Sequence, residues 1–231
     1  MQRLEARTTT MTTSHDNEGA EAVRYAMLRR LAPGIRHGLM GDLQAIQLLA
    51  ELAARQLGTS DIAKIEDSLT QIIAHTRSNV ASCRSIVEWL RPEGGATIAL
   101  GEGIAQCLKL AGDDWALRGV GASTSLLATE ALVDKTALRE LFTASLLAVT
   151  DTLPGSLEIE VRSAVDGDDV ELDVDARSAD HRASMPRSEH ERKLTWADLQ
   201  TLARVHGVPC TCRPNGVTLR LRRIPGAARQ G

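Results

Sequence analysis

The feature that most constrains the fold of this chain is a heptad pattern of mainly apolar residues between positions 61 and 90. Its members alternate three and four residues apart: Ile62, Ile65, Leu69, Ile72, Thr76, Asn79, Cys83, Ile86 and Leu90. This spacing places one seam along a long α-helix and is typical of coiled coils and helix bundles. A second helical pattern, over about 18–57, precedes it across the turn sequence LGTSD. We therefore predict a hairpin of two long helices.

The helical hairpin is predicted to form a homodimer. Two helices cannot bury both of their faces alone, and a second copy completes a four-helix bundle. Thr76 and Asn79 interrupt the seam, and polar residues at such positions set the register and the oligomeric state. The APG sequence at 32–34 predicts a kink or a break of the first helix at Pro33.

The pattern changes after the sequence RPEGGA at 91–96, which predicts a domain boundary. Helices are expected over about 100–111 and 135–151, and a third is expected between a Thr195 cap and Gly207. Two hairpins are also expected, one in SLEIEVRSA and DVELDVDAR and one turning at Pro214–Gly216. We predict an α+β protein with a tail over 1–18 that is disordered, a hairpin domain over 19–92, an α/β domain over 96–225 and a tail over 226–231.

Composition excludes several classes of function. The net charge of −3 and the small number of aromatic residues (three Trp, one Tyr and one Phe) argue against nucleic acid as a partner. No apolar run approaches the roughly 20 residues of a membrane span, and the polar N-terminus does not resemble a secretory signal. The four cysteines form no CxxC pair, so no metal site is expected. A cytoplasmic protein that does not bind membranes is predicted.

Three segments in order resemble the dimerisation and catalytic core of bacterial sensor histidine kinases, over roughly residues 22–224. In HGLMGDL (37–43), His37 and Leu43 stand where that family has its phosphoacceptor and the final leucine of its histidine box. LRELFTASLLAVTDTLP (138–154) is similar to the nucleotide-binding helix of the family, and the segment 194–224 is similar to its last helix and hairpin. The resemblance implies an ATPase-like α/β sandwich after a histidine-bearing hairpin.

The nucleotide site of the family is altered in this chain. Ala144 and Ala148 replace its two asparagines, and an alanine methyl cannot coordinate magnesium, which needs oxygen ligands. The sequence DARSADHRAS has no glycine where the family has its adenine loop, although Asp175 is a candidate remnant of the loop carboxylate. SMPRSEHERK stands in place of the glycine-rich lid. We therefore expect a degenerate domain that does not bind ATP.

The histidine box also lacks residues that the family uses for catalysis. Gly38 replaces the acidic residue that acts as a general base in the family, and Gly41 stands where many bifunctional members orient a water molecule. Neither autokinase nor phosphatase chemistry therefore has its usual residue. The pattern resembles the ChpT-like histidine phosphotransferases, which are built as degenerate histidine kinases.

This resemblance implies a phosphorelay protein in which His37 exchanges phosphoryl groups with receiver-domain aspartates. Neutral imidazole is nucleophilic near neutral pH. The protein needs no cofactor of its own in this hypothesis, because the receiver supplies magnesium. Its expected partners are response-regulator receiver domains, a hybrid histidine kinase and a second copy of the chain. The candidate supporting residues are Arg36, Asp42, which would orient the imidazole, and Gln44; the candidate docking residues are Met40, Gln44 and Gln47.

Other interpretations remain open at this stage. His37 is an ordinary solvated side chain if the resemblance is set aside, and His75 is predicted to be solvated in either case. The alternative function is a non-catalytic dimeric scaffold that docks a receiver or a kinase, with His37 dispensable. A residual ATP-dependent kinase is the third and least favoured interpretation.

Overall fold

The computed structural model describes residues 2–58, 61–90, 94–179 and 192–225. Within these ranges the side chains of 2–15, 85, 88–90, 113, 114 and 116–118 are outside the description. Most of the segment that stands in place of a glycine-rich lid, and the predicted tail at 226–231, therefore lie outside the described residues.

Two long helices open the chain, α1 (Gln2–Leu57) and α2 (Ile62–Leu90). Their prediction is confirmed, with two corrections to α1. The helix begins at Gln2 instead of following a disordered tail over 1–18, and no glycine or proline interrupts those 18 residues. It also continues through Pro33, so of the predicted kink or break the break does not occur, since a helix can accommodate a proline by kinking instead.

The chain divides into two compact units, and the division falls inside α1. One unit contains residues 33–93, and the other contains residues 1–32 together with 94–231. This differs from the predicted hairpin domain over 19–92. The physical reason is an apolar stripe of α1 that is buried within the α/β unit and consists of Ala20, Val23, Ala26, Met27 and Leu31.

The α/β unit confirms the predicted α+β class. Its order after α2 is β1 (Thr97–Ala99), α3 (Leu100–Arg118), β2 (Val120–Leu126), β3 (Leu132–Asp134), α4 (Lys135–Thr152), β4 (Leu157–Asp166), β5 (Asp169–Ser178), α5 (Trp196–His206), β6 (Cys210–Arg213) and β7 (Gly216–Arg222). Both predicted hairpins are present, as β4–β5 and β6–β7. The main sheet has the order β2-β4-β5-β7-β6, in which only β2 and β4 are parallel, while β1 pairs with β3 separately.

Helix α4 is the centre of the core. Its N-cap is Asp134, whose side chain accepts a hydrogen bond from the backbone amide of Ala137. All 14 residues from Ala137 to Thr150 are buried, because α3, α5 and the sheet contact α4 from different sides. The sheet contributes alternate apolar side chains to the same core, including Ile159, Val161, Leu172, Val174 and Leu219.

Candidate functional site

His37 lies on the part of α1 that belongs to the hairpin unit, one turn after Pro33. Its side chain is exposed and makes no hydrogen bond or ion pair with any residue that the structure describes. Met40 and Gln44 follow on the same helix face, because three and seven residues correspond to about one and two turns. Both side chains are exposed, so His37 stands at the end of an accessible strip of α1.

The other residues predicted to act with His37 lie around this strip. Arg36 is exposed beside it. Gln47 is also exposed, and its Nε2 donates a 3.2 Å hydrogen bond to Oε1 of Glu51. Asp42, by contrast, is five residues from His37, which places the two side chains about 140° apart around the helix.

The carboxylate of Asp42 pairs with His75 instead of orienting His37. Oδ1 of Asp42 is 2.9 Å from Nδ1 of His75, so α1 and α2 are joined at this level of the hairpin. The prediction of a solvated His75 is thereby corrected. Sequence contained a signal for this contact, since Asp42 and His75 lie at nearly equal distances from the turn near residue 58 and antiparallel helices bring such residues together.

Two further polar contacts fix the register of the hairpin. Nδ2 of Asn79 donates to the carbonyl oxygen of Leu39 over 3.2 Å, and Oγ of Ser68 donates to Oε1 of Gln56 over 3.4 Å. The face of α2 that meets α1 therefore includes Ser68, His75 and Asn79. Of these three residues only Asn79 belongs to the predicted heptad seam, so the seam does not coincide with the face of α2 that meets α1.

Apolar members of the predicted seam are exposed in the hairpin unit, with Ile62 at 68% and Leu69 at 49%. The hairpin also has a groove of about 560 Å³ between α1 and the second half of α2, and its lining is almost entirely apolar. The lining residues are Leu43, Ile46, Thr76, Asn79, Val80, Cys83, Arg84 and Val87. We call this surface the hairpin groove.

In the α/β unit, the positions that correspond to the two family asparagines carry buried methyl groups. Ala144 and Ala148 are both fully buried on α4. Two ion pairs with α1 lie on either side of these alanines along the same helix face. Nε of Arg24 is 2.8 Å from Oε1 of Glu140. Nη2 of Arg30 is 3.3 Å from Oδ1 of Asp151. This face of α4 is covered by the chain itself and offers no oxygen ligand at positions 144 and 148, so these residues do not fit a magnesium–nucleotide complex.

Asp175, the candidate remnant of the adenine-loop carboxylate, has two cationic partners. Nη2 of Arg162 is 2.7 Å from its Oδ2, and Nη2 of Arg213 is 2.9 Å from its Oδ1. These bonds link β4, β5 and β6 across the face of the sheet. Asp175 thus has a structural role in the sheet.

Sequence reasoning missed a buried polar cluster around Glu140. Its carboxylate accepts hydrogen bonds from Nε of Arg24 and from Nε2 of His206, each over 2.8 Å. Burial raises the pKa of Glu140, but the hydrogen bonds from His206 and Arg24 and their positive charge outweigh it and lower that pKa overall. The cluster joins α1, α4 and α5.

The paired thiols of β6 are the remaining chemically distinctive group. Sγ of Cys210 is 3.7 Å from Sγ of Cys212, because alternate residues of a strand share one face. Burial raises the pKa of Cys210 to about 12, and Cys212 beside it acts in the same direction. Among the described residues, no group of three or more His, Cys, Asp or Glu side chains is placed to hold a metal ion.

The chain was compared with known proteins. No family model and no curated protein matches it. Solved structures that it resembles include the Acinetobacter baumannii histidine kinase AdeS, with 13% identity, a TM-score of 0.42 and coverage of 82% of this chain and 98% of that one. A bacterial phosphotransferase has 15% identity and a TM-score of 0.41, and the match covers 85% of this chain and 95% of that one. A histidine kinase from Burkholderia phymatum STM815 has 15% identity and a TM-score of 0.39, with coverage of 87% of this chain and 96% of that one.

In the ranges that the structure describes, every helix is too short or too polar to cross a bilayer.

Proposed function

We propose that this protein is a histidine phosphotransferase, which relays phosphoryl groups between receiver-domain aspartates through His37. The observation that carries the proposal is the placement of His37 on a long helix of the hairpin unit, exposed and without a partner among the described residues. An acceptor of this kind needs an accessible imidazole on a rigid support, and it needs no nucleotide.

The reaction requires little from the protein beyond the imidazole. The lone pair of a ring nitrogen of His37 attacks the phosphorus of an aspartyl phosphate, the N–P bond forms, and the P–O bond to the aspartate breaks. The electron pair of that bond leaves with the aspartate carboxylate. The receiver supplies the magnesium ion that neutralises the phosphoryl oxygens, and the reverse reaction delivers the group to a second receiver.

The α/β unit supports this function over an ATP-dependent kinase. Ala144 and Ala148 are buried on the face of α4 that α1 covers, so positions that would hold a metal–nucleotide complex hold methyl groups. We expect saturating ATP and magnesium to leave the unfolding temperature of the protein unchanged, since a ligand raises stability only when it binds the folded state.

The hairpin supports two further parts of the proposal. Met40, Gln44 and Gln47 are exposed on α1 in the three turns that follow His37 and form the proposed docking strip for a receiver. The hairpin groove lies on the neighbouring side, and a second copy of the chain is its proposed occupant, because two hairpins that pair their apolar faces form a four-helix bundle.

A non-catalytic scaffold is the second candidate function. The observation that favours it is the environment of His37, where no described residue supplies the orienting carboxylate that catalytic histidines commonly have. In this case a receiver or a kinase docks on the same strip and His37 is not phosphorylated.

The test uses the full chain and a panel of phosphorylated receiver domains from the same organism. We expect an acid-labile, alkali-stable phosphoryl group on His37, located by mass spectrometry and absent in His37→Gln. His206→Gln is the matched control, because it removes an imidazole that lies in the other unit. A receiver that binds wild type and His37→Gln equally well without labelling any histidine would contradict the relay and favour the scaffold.

A further inference from the structure

We propose that His75, oriented by Asp42, is a second phosphoryl acceptor of the hairpin. The proposal goes beyond the relay through His37, because it concerns a different imidazole and is tested with a small donor that requires no receiver. It rests on a contact between the two helices of the hairpin, 2.9 Å from Oδ1 of Asp42 to Nδ1 of His75.

The contact defines which ring nitrogen is available. A carboxylate only accepts hydrogen bonds, so Nδ1 of a neutral His75 carries the proton that Asp42 accepts. The lone pair of the neutral ring then resides on Nε2, which has no hydrogen-bond partner in the described parts of the chain. His75 therefore presents one defined nucleophilic nitrogen.

Burial favours the same conclusion. The side chain of Asp42 is 23% exposed and that of His75 is 38% exposed, so the carboxylate is the more enclosed member of the pair and the imidazole is the more accessible one. The pair lies between two helices whose register is fixed nearby by the hydrogen bond from Asn79 to Leu39. An incoming donor thus meets an imidazole that is already held in place.

The step is balanced without an added base. Nε2 attacks the phosphorus of the donor and an N–P bond forms, while the bond from phosphorus to the leaving group breaks and its electrons go with that group. The ring becomes positively charged because Nδ1 keeps its proton. The negative charge of Asp42 stabilises this ring and thereby the transition state that leads to it.

The other histidines with described side chains give the contrast. His37 is exposed but has no orienting carboxylate among the described residues. His206 has one, Glu140, but it bonds through Nε2 and its side chain is only 14% exposed. Orientation at Nδ1 and access to Nε2 are combined at His75.

The experiment treats the full chain with potassium phosphoramidate, whose P–N bond breaks with release of ammonia. Phosphohistidine is quantified at each site by mass spectrometry over time, at a pH where free imidazole is neutral. We expect His75 to be labelled faster than His37 and His206. Asp42→Asn, which keeps the shape of the side chain but removes its charge, should lower the rate at His75 by about tenfold and leave the rate at His37 unchanged.

Asp67→Asn is the matched control, because Asp67 is an exposed carboxylate of α2 that bonds Gln71 and not His75. It should change neither rate. An unlabelled His75, or a rate at His75 that is the same in wild type and Asp42→Asn, overturns the proposal. Since no receiver is present, these outcomes are independent of whether His37 takes part in a relay.

Discussion

Nε of Arg24 donates a hydrogen bond to Oε1 of Glu140 over 2.8 Å, and this pair attaches helix α1 to helix α4. The second oxygen of the same carboxylate accepts from His206 of α5. Glu140 of α4 is therefore the common acceptor for donors on α1 and α5. Its side chain is only 7% exposed, so the loss of its charge weakens the hydrogen bonds from Arg24 and His206 in a largely desolvated site.

Replacement of Glu140 by Gln is expected to lower the free energy of unfolding at neutral pH by about 2 kcal/mol. The pKa of Glu140 is lowered in the folded protein, so its carboxylate contributes stability above the ordinary value of 4.5. That contribution is lost as the pH falls from 4.5 through the lowered value. Urea unfolding of wild type and Glu140→Gln between pH 7 and acid pH measures the difference, which should shrink on acidification.

Glu130→Gln is the control for this prediction, since Glu130 is exposed between β2 and β3. It should leave the free energy of unfolding within about 0.5 kcal/mol of wild type at each pH. A difference between wild type and Glu140→Gln that stays constant down to acid pH would show that the charge of Glu140 does not stabilise the fold.

Two glycines of α3 provide a matched pair of substitutions. A β-carbon at Gly103 would overlap Cδ2 of the fully buried Leu138, whereas one at Gly112 would meet open space. Gly103→Ala should lower the free energy of unfolding by about 1–2 kcal/mol, because the core is overpacked. Gly112→Ala should raise it by about 0.5–1 kcal/mol, because alanine favours the helix. Thermal and urea unfolding measure both, and equal effects of the two substitutions would contradict the packing of α3 on α4.

The proposed dimer predicts that a charge in the hairpin groove separates the two copies. Val80 lines the groove and is 48% exposed in the single chain, so Val80→Glu would place a carboxylate within the apolar interface. We expect wild type to sediment as a dimer and Val80→Glu as a monomer at micromolar concentration. Ala74→Glu, exposed on another face of α2, is the control and should remain dimeric. A monomeric wild type would contradict the dimer.

Thiol labelling is a second test of the same interface, and it measures whether the groove is covered in the wild-type protein. Cys83 lines the groove and is exposed in the single chain, so a second copy would cover it. Iodoacetamide should therefore modify Cys83 slowly in the wild-type dimer and rapidly in Val80→Glu. Cys107 should stay unmodified in both, since it is buried and burial raises its pKa to about 11. Equally rapid labelling of Cys83 in both proteins would argue against a covered groove.

Features that depend on residues close in sequence could be predicted. Helix α5 begins at a capping box formed by Thr195 and Asp198 and ends at Gly207 with a φ of 62°, and each signal is local. The hairpin of β4 and β5 follows from alternation around the turn at Gly167, whose φ is 60°. The predicted end of α3 near residue 111 is too early, because the helix continues to its cap at Gly119.

Contacts between distant residues could not be predicted in this way. Strand β2 is largely exposed and owes its conformation to parallel pairing with β4, which begins 37 residues later than β2. The stripe from Ala20 to Leu31 has an ordinary helical periodicity, and nothing local to it shows that it is buried within the α/β unit. The pairing of Asp42 with His75 required the register of two helices, and the predicted partner of Asp42 was the histidine nearest to it in the chain.

The burial of α4 on all sides also determines how its backbone exchanges hydrogen with solvent. From Ala137 to Thr150 no turn of the helix has a face in water, so partial fraying cannot expose its central amides to deuterium. Their exchange requires α1, α3, α5 and the sheet to separate from α4 together. The slowest-exchanging amides of α4 therefore report the free energy of global opening of the α/β unit.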